Sequence, residues 1–192
     1  MILKTARVFQ RMPEVDRIWV VTQKERMEHC ERILRQGGIE KLQPVLEGGA
    51  ERQDSVQRGL AAMTTNLVLI HDAARPFVTE DCVRRVLDAA RDGGAAICGV
   101  PVKDTIRCSG NTLDRRQLFA VQTPQGFERE LLIRVMEQAR RDGWIGTDEA
   151  GLADRAGVPV QEVEGSYSNV KITTKEDLPA DQIGRASCRE RV

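Results

Sequence analysis

Four consecutive aliphatic residues, Leu67-Val-Leu-Ile70, stop abruptly at His71, Asp72 and Arg75, and this junction constrains the fold more than any other stretch. A run without polar alternation reads as a parallel strand covered on both faces, which requires helices above and below a sheet. Asp72 then stands at the carboxyl end of the strand, where open α/β sheets bind ligands. Pro76 halts the strand, and Thr79 followed by Glu80 and Asp81 reads as a helix N-cap with acids in the first turn. The polar cluster therefore occupies a strand-to-helix loop.

The rest of the chain keeps the same rhythm. Ile2, Ala6 and Phe9 share one face of an opening helix, residues 17–22 read as a buried strand, and 24–36 as a charged surface helix closed by Gly37-Gly38. A short strand at 44–46 leads through Gly48-Gly49 to Asp54, which can cap a helix carrying Val56, Leu60 and Met63. A helix over 79–92 and a strand over 95–100 follow. This alternation predicts an α/β fold, a mainly parallel twisted sheet flanked by helices. Residues 103–121 break it: two short extended runs flank Ser109-Gly110-Asn111, as expected of a β-hairpin that projects to pack on a partner or lie over the site. Beyond it, Gln122-Thr-Pro-Gln-Gly-Phe127 reads as a rigid polar loop and 128–141 as a helix. Then come a short helix capped by Thr147, closing strands at 158–163 and 169–173, and the start of a terminal helix at 175–181.

The 29 basic and 29 acidic side chains form no long basic stripe, which argues against a nucleic-acid polymer as partner. Apolar runs fall far short of the ~20 residues of a spanning helix, and the start lacks the pattern of a signal peptide, so no membrane contact and a cytoplasmic location are expected. Cys30, Cys82, Cys98, Cys108 and Cys188 contain no Cys-x-x-Cys pair and are expected as reduced, mostly buried thiols.

Five polar groupings are candidates for chemistry, each with a plainer alternative. Gly48 and Gly49 ahead of a helix bearing Ser55 could let backbone approach a base or phosphate, or could simply turn the chain. Asp72 could hold a ribose hydroxyl or a divalent metal while Arg75 binds phosphate, or the two could be a structural ion pair. His71 could equally bond its own loop or move protons. Thr123 lies in the loop around Pro124, and Thr147 with Asp148 and Glu149 suits a capping role. Lys171 and Thr173 share one side of the segment at 169–173, suited to phosphate or to a solvated edge.

Taken in order, Gly48-Gly-Ala-Glu-Arg-Gln-Asp-Ser55, His71-Asp-Ala-Ala-Arg-Pro-Phe77, Asp114-Arg115, Gln122-Thr-Pro-Gln125, Thr147-Asp-Glu-Ala150 and Asn169-Val-Lys-Ile-Thr-Thr174 resemble the 2-C-methyl-D-erythritol 4-phosphate cytidylyltransferases. The resemblance runs from Met1 to about Gln182. It implies a Rossmann-like nucleotidyltransferase that joins CTP to methylerythritol phosphate, releases pyrophosphate, uses Mg²⁺ or another divalent metal, and serves non-mevalonate isoprenoid synthesis. It also implies a homodimer clasped by the β-arm at 103–121. By the same resemblance Lys171 and Arg115 are catalytic, with Arg115 reaching the other subunit's site. Gly48, Gly49, Ser55 and Asp72 bind nucleotide; Asp72, Arg75, Thr123 and Thr147 bind the acceptor; Asp72 is the one candidate metal ligand. A ribitol-5-phosphate cytidylyltransferase is the nearest alternative, and a non-catalytic fragment is the alternative from another class.

Both ends depart from that pattern. The family's opening strand and Gly-rich loop are not found, about 30 residues in length, so residues 1–192 as written are expected to give negligible turnover. Residues 183–192 match a translation of a common sequencing adapter and are expected to be an artefactual tail behind a cytidylyltransferase domain at 1–182.

Overall fold

The computed structural model describes residues 1–177, in which helices and strands alternate as far as β4 (Ala95–Pro101). In order these are α1 (Ile2–Arg11), β1 (Val21–Thr22), α2 (Met27–Gln36), β2 (Leu46–Glu47), α3 (Arg52–Ala62), β3 (Leu67–Ile70), α4 (Glu80–Gly93) and β4 (Ala95–Pro101). There follow β5 (Arg107–Cys108), β6 (Asn111–Thr112), β7 (Phe119–Glu128), α5 (Arg129–Arg141), α6 (Glu149–Arg155) and β8 (Gln161–Glu164).

The main sheet has the order β3-β7-β4-β8. Its strands alternate side chains between two helical layers, as period-two geometry demands. Leu67 and Leu69 pack into the cluster built by Val8, Phe9 and Met12 at α1 and by Val83, Val86 and Leu87 of α4. Val68 and Ile70 pack into the opposite cluster with Leu60, Phe127, Leu132, Met136 and Leu152, contributed by α3, β7, α5 and α6. The strand covered on both faces is thus as expected, and the fold is an α/β sheet between helices. A third cluster, Ala6, Leu34, Ile39 and Leu42, seats α2 against α1. On the edge not paired to β7, β3 faces residues 15–21 across a cleft of about 830 Å³ walled by α1 and α3.

The sheet is partly rather than mainly parallel. β4 pairs with β8 in parallel and β1 with β2 in parallel, but β7 runs antiparallel to both β3 and β4. The cause is the stretch 122–127, which is no loop but the middle of β7, returning from the hairpin straight into the sheet. Its polar side chains tolerate burial because each finds partners, the condition for any buried polar group. The Gln122 amide donates to the Ser166 carbonyl (2.8 Å) and accepts from the Ser166 N–H (3.3 Å). The Gln125 amide likewise donates to Asp148 (2.8 Å) and accepts from the Ala150 N–H (3.2 Å).

Three further expectations are corrected by local hydrogen bonding. Glu51, not Asp54, is the N-cap of α3, and Asp54 completes a capping box by accepting from the Glu51 N–H at 3.1 Å. Asp148, not Thr147, caps α6, accepting from the Gly151 N–H at 2.9 Å. Residues 169–173 form no strand: the Asp177 carboxylate takes the N–H groups of Thr173 and Thr174 and the Thr173 hydroxyl at 2.7–2.8 Å, folding the chain into a single 3₁₀ turn. The strand expected at 17–22 shrinks to β1 and an isolated bridge from Ile18 to Leu42. Thr79 does cap α4, accepting from the Cys82 N–H at 3.3 Å.

The expected hairpin is present as β5 and β6, joined by Ser109 and Gly110, whose φ angles of 48° and 85° match the turn that follows strand twist. Ile106 and Leu113 are exposed on it, 37% and 38%. Among the described cysteines, all free, Cys82 and Cys98 are buried, Cys30 is half-buried and Cys108 is exposed. Cys188, the adapter-like residues 183–192 and the end of the expected terminal helix lie outside the described residues.

Candidate active site

The loop after β3 meets the middle of β7 and the segment at 169–172, and three hydrogen bonds explain why it holds one shape. The Asp72 N–H donates to Thr123 Oγ1 (3.0 Å), which lies 3.1 Å from His71 Nδ1. His71 Nε2 lies 3.2 Å from the Arg75 carbonyl, an acceptor only, so the ring carries its proton on Nε2 and its Nδ1 accepts from the Thr123 hydroxyl. Burial lowers the pKa of His71 to about 4, below its ordinary 6.5, with the nearby Asp72 only partly opposing it. His71 is therefore neutral at physiological pH and braces the loop under the Phe9 ring, 5.1 Å away. Its two alternatives resolve toward the loop bond. Thr123 does the same work from β7, where its peptide bond to Pro124 is cis.

Asp72 is the centre of a cationic ring. Its Oδ2 pairs with Lys171 Nζ at 2.9 Å and lies 3.9 Å from Arg75 Nε, while Oδ1 lies 3.7 Å from Arg52 Nε. Burial pushes the Asp72 carboxyl up, but Lys171, Arg52 and Arg75 outweigh it and hold the group below its ordinary value. Arg75 is fixed by a bond from its Nη1 to the Asn169 carbonyl (2.7 Å). Its Nε is buried without a partner. Burial lowers the Arg75 pKa, opposed by Asp72, and the guanidinium stays charged. Asn169 itself is buried and donates to the Thr123 carbonyl (2.9 Å) and the Gln122 amide oxygen (3.3 Å), and Ile172 N–H reaches the Ala74 carbonyl (2.8 Å). These bonds deliver Lys171 to Asp72 although no strand carries it.

The Gly48–Ser55 turn forms a second wall. The Gly48 N–H bonds the Thr22 carbonyl (2.7 Å), extending the β1 edge, and the Gly49 N–H bonds Ser55 Oγ (3.1 Å). A Cβ at Gly49 would overlap the Cβ of Asp54, so glycine is needed there by the helix start itself. Arg52 links this wall to Asp72 and also to Glu149 of α6, whose Oε1 lies 2.6 Å from its Nη1.

Two residues expected at the site make no hydrogen bond to the Asp72 network. Arg115 is exposed on the arm and donates to the Lys103 carbonyl (2.7 Å). Thr147 is exposed one residue before the cap of α6. Neither joins the Asp72 network. Conversely Arg52, Asn169, Gln122, Gln125 and Glu149 carry the network without having been singled out. All five lie inside the sequence motifs already noted, but their pairings span between 23 and 97 residues, and no local periodicity signals them.

A neutral histidine and a ring of cations around one carboxylate suit charge neutralisation on phosphates rather than proton transfer. The family model described as "IspD: 2-C-methyl-D-erythritol 4-phosphate cytidylyltransferase" matches residues 1–183. A relative of that name from Bacillus cytotoxicus is 44% identical over 183 residues, covering 92% of this chain and 81% of its own length. The crystal structure of the protein of that name from Thermus thermophilus superposes with a TM-score of 0.74 at 35% identity, covering 98% of this chain and 87% of that one. The 4-diphosphocytidyl-2C-methyl-D-erythritol synthase of Anaerococcus prevotii gives 0.84 at 29% identity, covering 99% and 86%. The chain belongs to the 2-C-methyl-D-erythritol 4-phosphate cytidylyltransferase family, nucleotidyltransferases of the non-mevalonate isoprenoid pathway that take their cytidylyl group from CTP.

Proposed function

We propose that the pocket ringed by Gly48, Ser55, Asp72, Arg75 and Lys171 is where CTP and methylerythritol phosphate meet. The observation that carries this reading is Lys171 Nζ at 2.9 Å from Asp72, a movable cation parked beside a fixed carboxylate. The acceptor phosphate attacks the α-phosphorus of CTP in line, forming the new P–O bond as the bond to pyrophosphate breaks, and no side chain needs to take a proton from a phosphate already ionised. Catalysis is then positioning plus charge neutralisation. Lys171 turns from Asp72 to the phosphates; Gly48, Gly49 and Ser55 face the cytosine; Asp72 takes nucleotide or acceptor hydroxyls. Arg75, Thr123 and Thr147 line the acceptor side.

Among the described residues no group of three His, Cys, Asp or Glu side chains could hold a metal. Asp72, the one candidate ligand, is already committed to three cations. The donor set therefore does not fit a resident Mg²⁺. A divalent metal would enter as part of Mg²⁺–CTP, bound through phosphates and water as that ion prefers.

Arg115 fits a role in trans. The arm that bears it exposes Ile106 and Leu113, apolar surface available to a second copy, and a homodimer would carry Arg115 to the partner's acceptor phosphate. No helix among the described residues is long and apolar enough to cross a membrane, and a cytoplasmic location is part of this reading. A crystal structure of the complete gene product with Mg²⁺–CTP tests the placement. Cytosine against Gly48–Ser55 with Lys171 on the phosphates is expected; nucleotide bound elsewhere, with Lys171 still on Asp72, would overturn it.

A further inference from the structure

Resting on that reading, we infer that Arg52 and Glu149 form a positioning pair for the nucleotide, holding Asp72 in place when Lys171 leaves it. Asp72 has cations on both oxygens: Lys171 at 2.9 Å and Arg75 at 3.9 Å on Oδ2, and Arg52 alone on Oδ1 at 3.7 Å. The Lys171 side chain is 45% exposed on an irregular segment and is free to swing. Arg52 is not. Its Nη1 is bonded at 2.6 Å to Glu149, whose side chain is 1% exposed at the first turn of α6. A planar guanidinium can bridge two carboxylates at once, which a lysine cannot.

The pair is a poor device for stability alone. Glu149 Oε2 is buried with no partner, so the carboxylate carries a standing desolvation cost that an apolar residue of similar size would avoid. What the cost maintains is geometry: one guanidinium tied simultaneously to α6, to the start of α3 beside Gly48-Gly49, and to Asp72. The last two are walls of the proposed nucleotide pocket. The charged groups around Asp72 are Arg52 from α3, Arg75 from its own loop and Lys171 from the segment at 169–172, with Asp148 and Glu149 of α6 behind Arg52. Once Lys171 moves to the phosphates, only Arg52 still faces Oδ1, so its fixed position keeps Asp72 aimed and lets Lys171 go.

The test is a double-mutant cycle on the complete gene product, read by calorimetric CTP binding together with the KM of each substrate and the melting temperature. Arg52→Ala and Glu149→Gln are each expected to weaken CTP about tenfold or more, the scale of a lost hydrogen bond to a charged group. The acceptor KM should move less than about threefold by the same reasoning, since Arg75 remains in place. Because Glu149 acts through Arg52, adding Glu149→Gln to Arg52→Ala should cost nothing further in CTP affinity. Lower melting temperatures with unchanged CTP affinity, or additive losses in affinity, would overturn the inference and leave a structural ion pair. A wild-type protein that fails to bind CTP would overturn the functional reading and this inference with it.

Discussion

Replacing Lys171 with methionine is expected to lower kcat/KM for cytidylyl transfer by ~10²–10³-fold, the range seen when one preorganised group facing transition-state charge is removed. Methionine keeps an unbranched stem of similar length, so the local packing survives while the ammonium is lost. Residue 171 is placed by its neighbours' bonds, Ile172 N–H to the Ala74 carbonyl (2.8 Å) and the Arg75 guanidinium to the Asn169 carbonyl (2.7 Å), and these are untouched by the change. Asp72 also keeps Arg52 and Arg75 at 3.7 and 3.9 Å, so it is not left as an uncompensated buried charge. The melting temperature should therefore hold within a few degrees, since the lost pair is 45% exposed on the lysine side and partly exposed pairs contribute little. Steady-state kinetics with a parallel thermal melt checks both halves. A variant with kcat/KM within about threefold of wild type would remove Lys171 from the chemistry, because a group that stabilises the transition state cannot be lost so cheaply.

Phe127→Ala should produce the largest loss of stability, about 3–5 kcal/mol, and a fall in melting temperature on the order of 10 °C. Phe127 is 0% exposed and stands in β7 opposite Val68 of β3 and Ala95 of β4, so its ring fills the layer beneath α5 and α6. Truncation opens a cavity at the junction of three strands and two helices, where no neighbour can collapse without breaking a ladder. Val121, on the same strand but 40% exposed, is the internal control: its change to alanine should cost under about 0.5 kcal/mol. Denaturant melts of both variants check the contrast. Equal losses would mean that β7 is not the central strand that binds the sheet together.

The helix layers were legible in the sequence because their apolar positions repeat at helical spacing and their ends carry caps, Thr79 before α4 among them. The strand Leu67–Ile70 was legible because four aliphatics in a row have few other uses. β7 was not. Gln122, Thr123 and Gln125 look like loop residues until their partners on α6 and the segment at 166–169 are known, and those partners lie at least 23 residues away. The antiparallel turn of the sheet escaped notice for the same reason. At the site, residue type and position make Asp72, Arg75 and Lys171 candidates, and the family resemblance supplies the roles expected of them. Arg52 and Glu149 are not among them, since a salt bridge between two helix starts 97 residues apart leaves no local mark. Arg115 and Thr147 show the opposite limit: the sequence motifs point to them, yet neither is bonded to the Asp72 network.

The most direct measurement gives the complete gene product CTP and Mg²⁺ with either methylerythritol phosphate or ribitol 5-phosphate, and follows the products by phosphorus NMR. Paired diphosphate signals of a CDP-alcohol, together with pyrophosphate, are expected with methylerythritol phosphate, and a rate at least ~10²-fold lower with the ribitol ester, the discrimination available to a site that bonds its substrate's hydroxyls. Turnover with ribitol 5-phosphate alone would contradict the assignment.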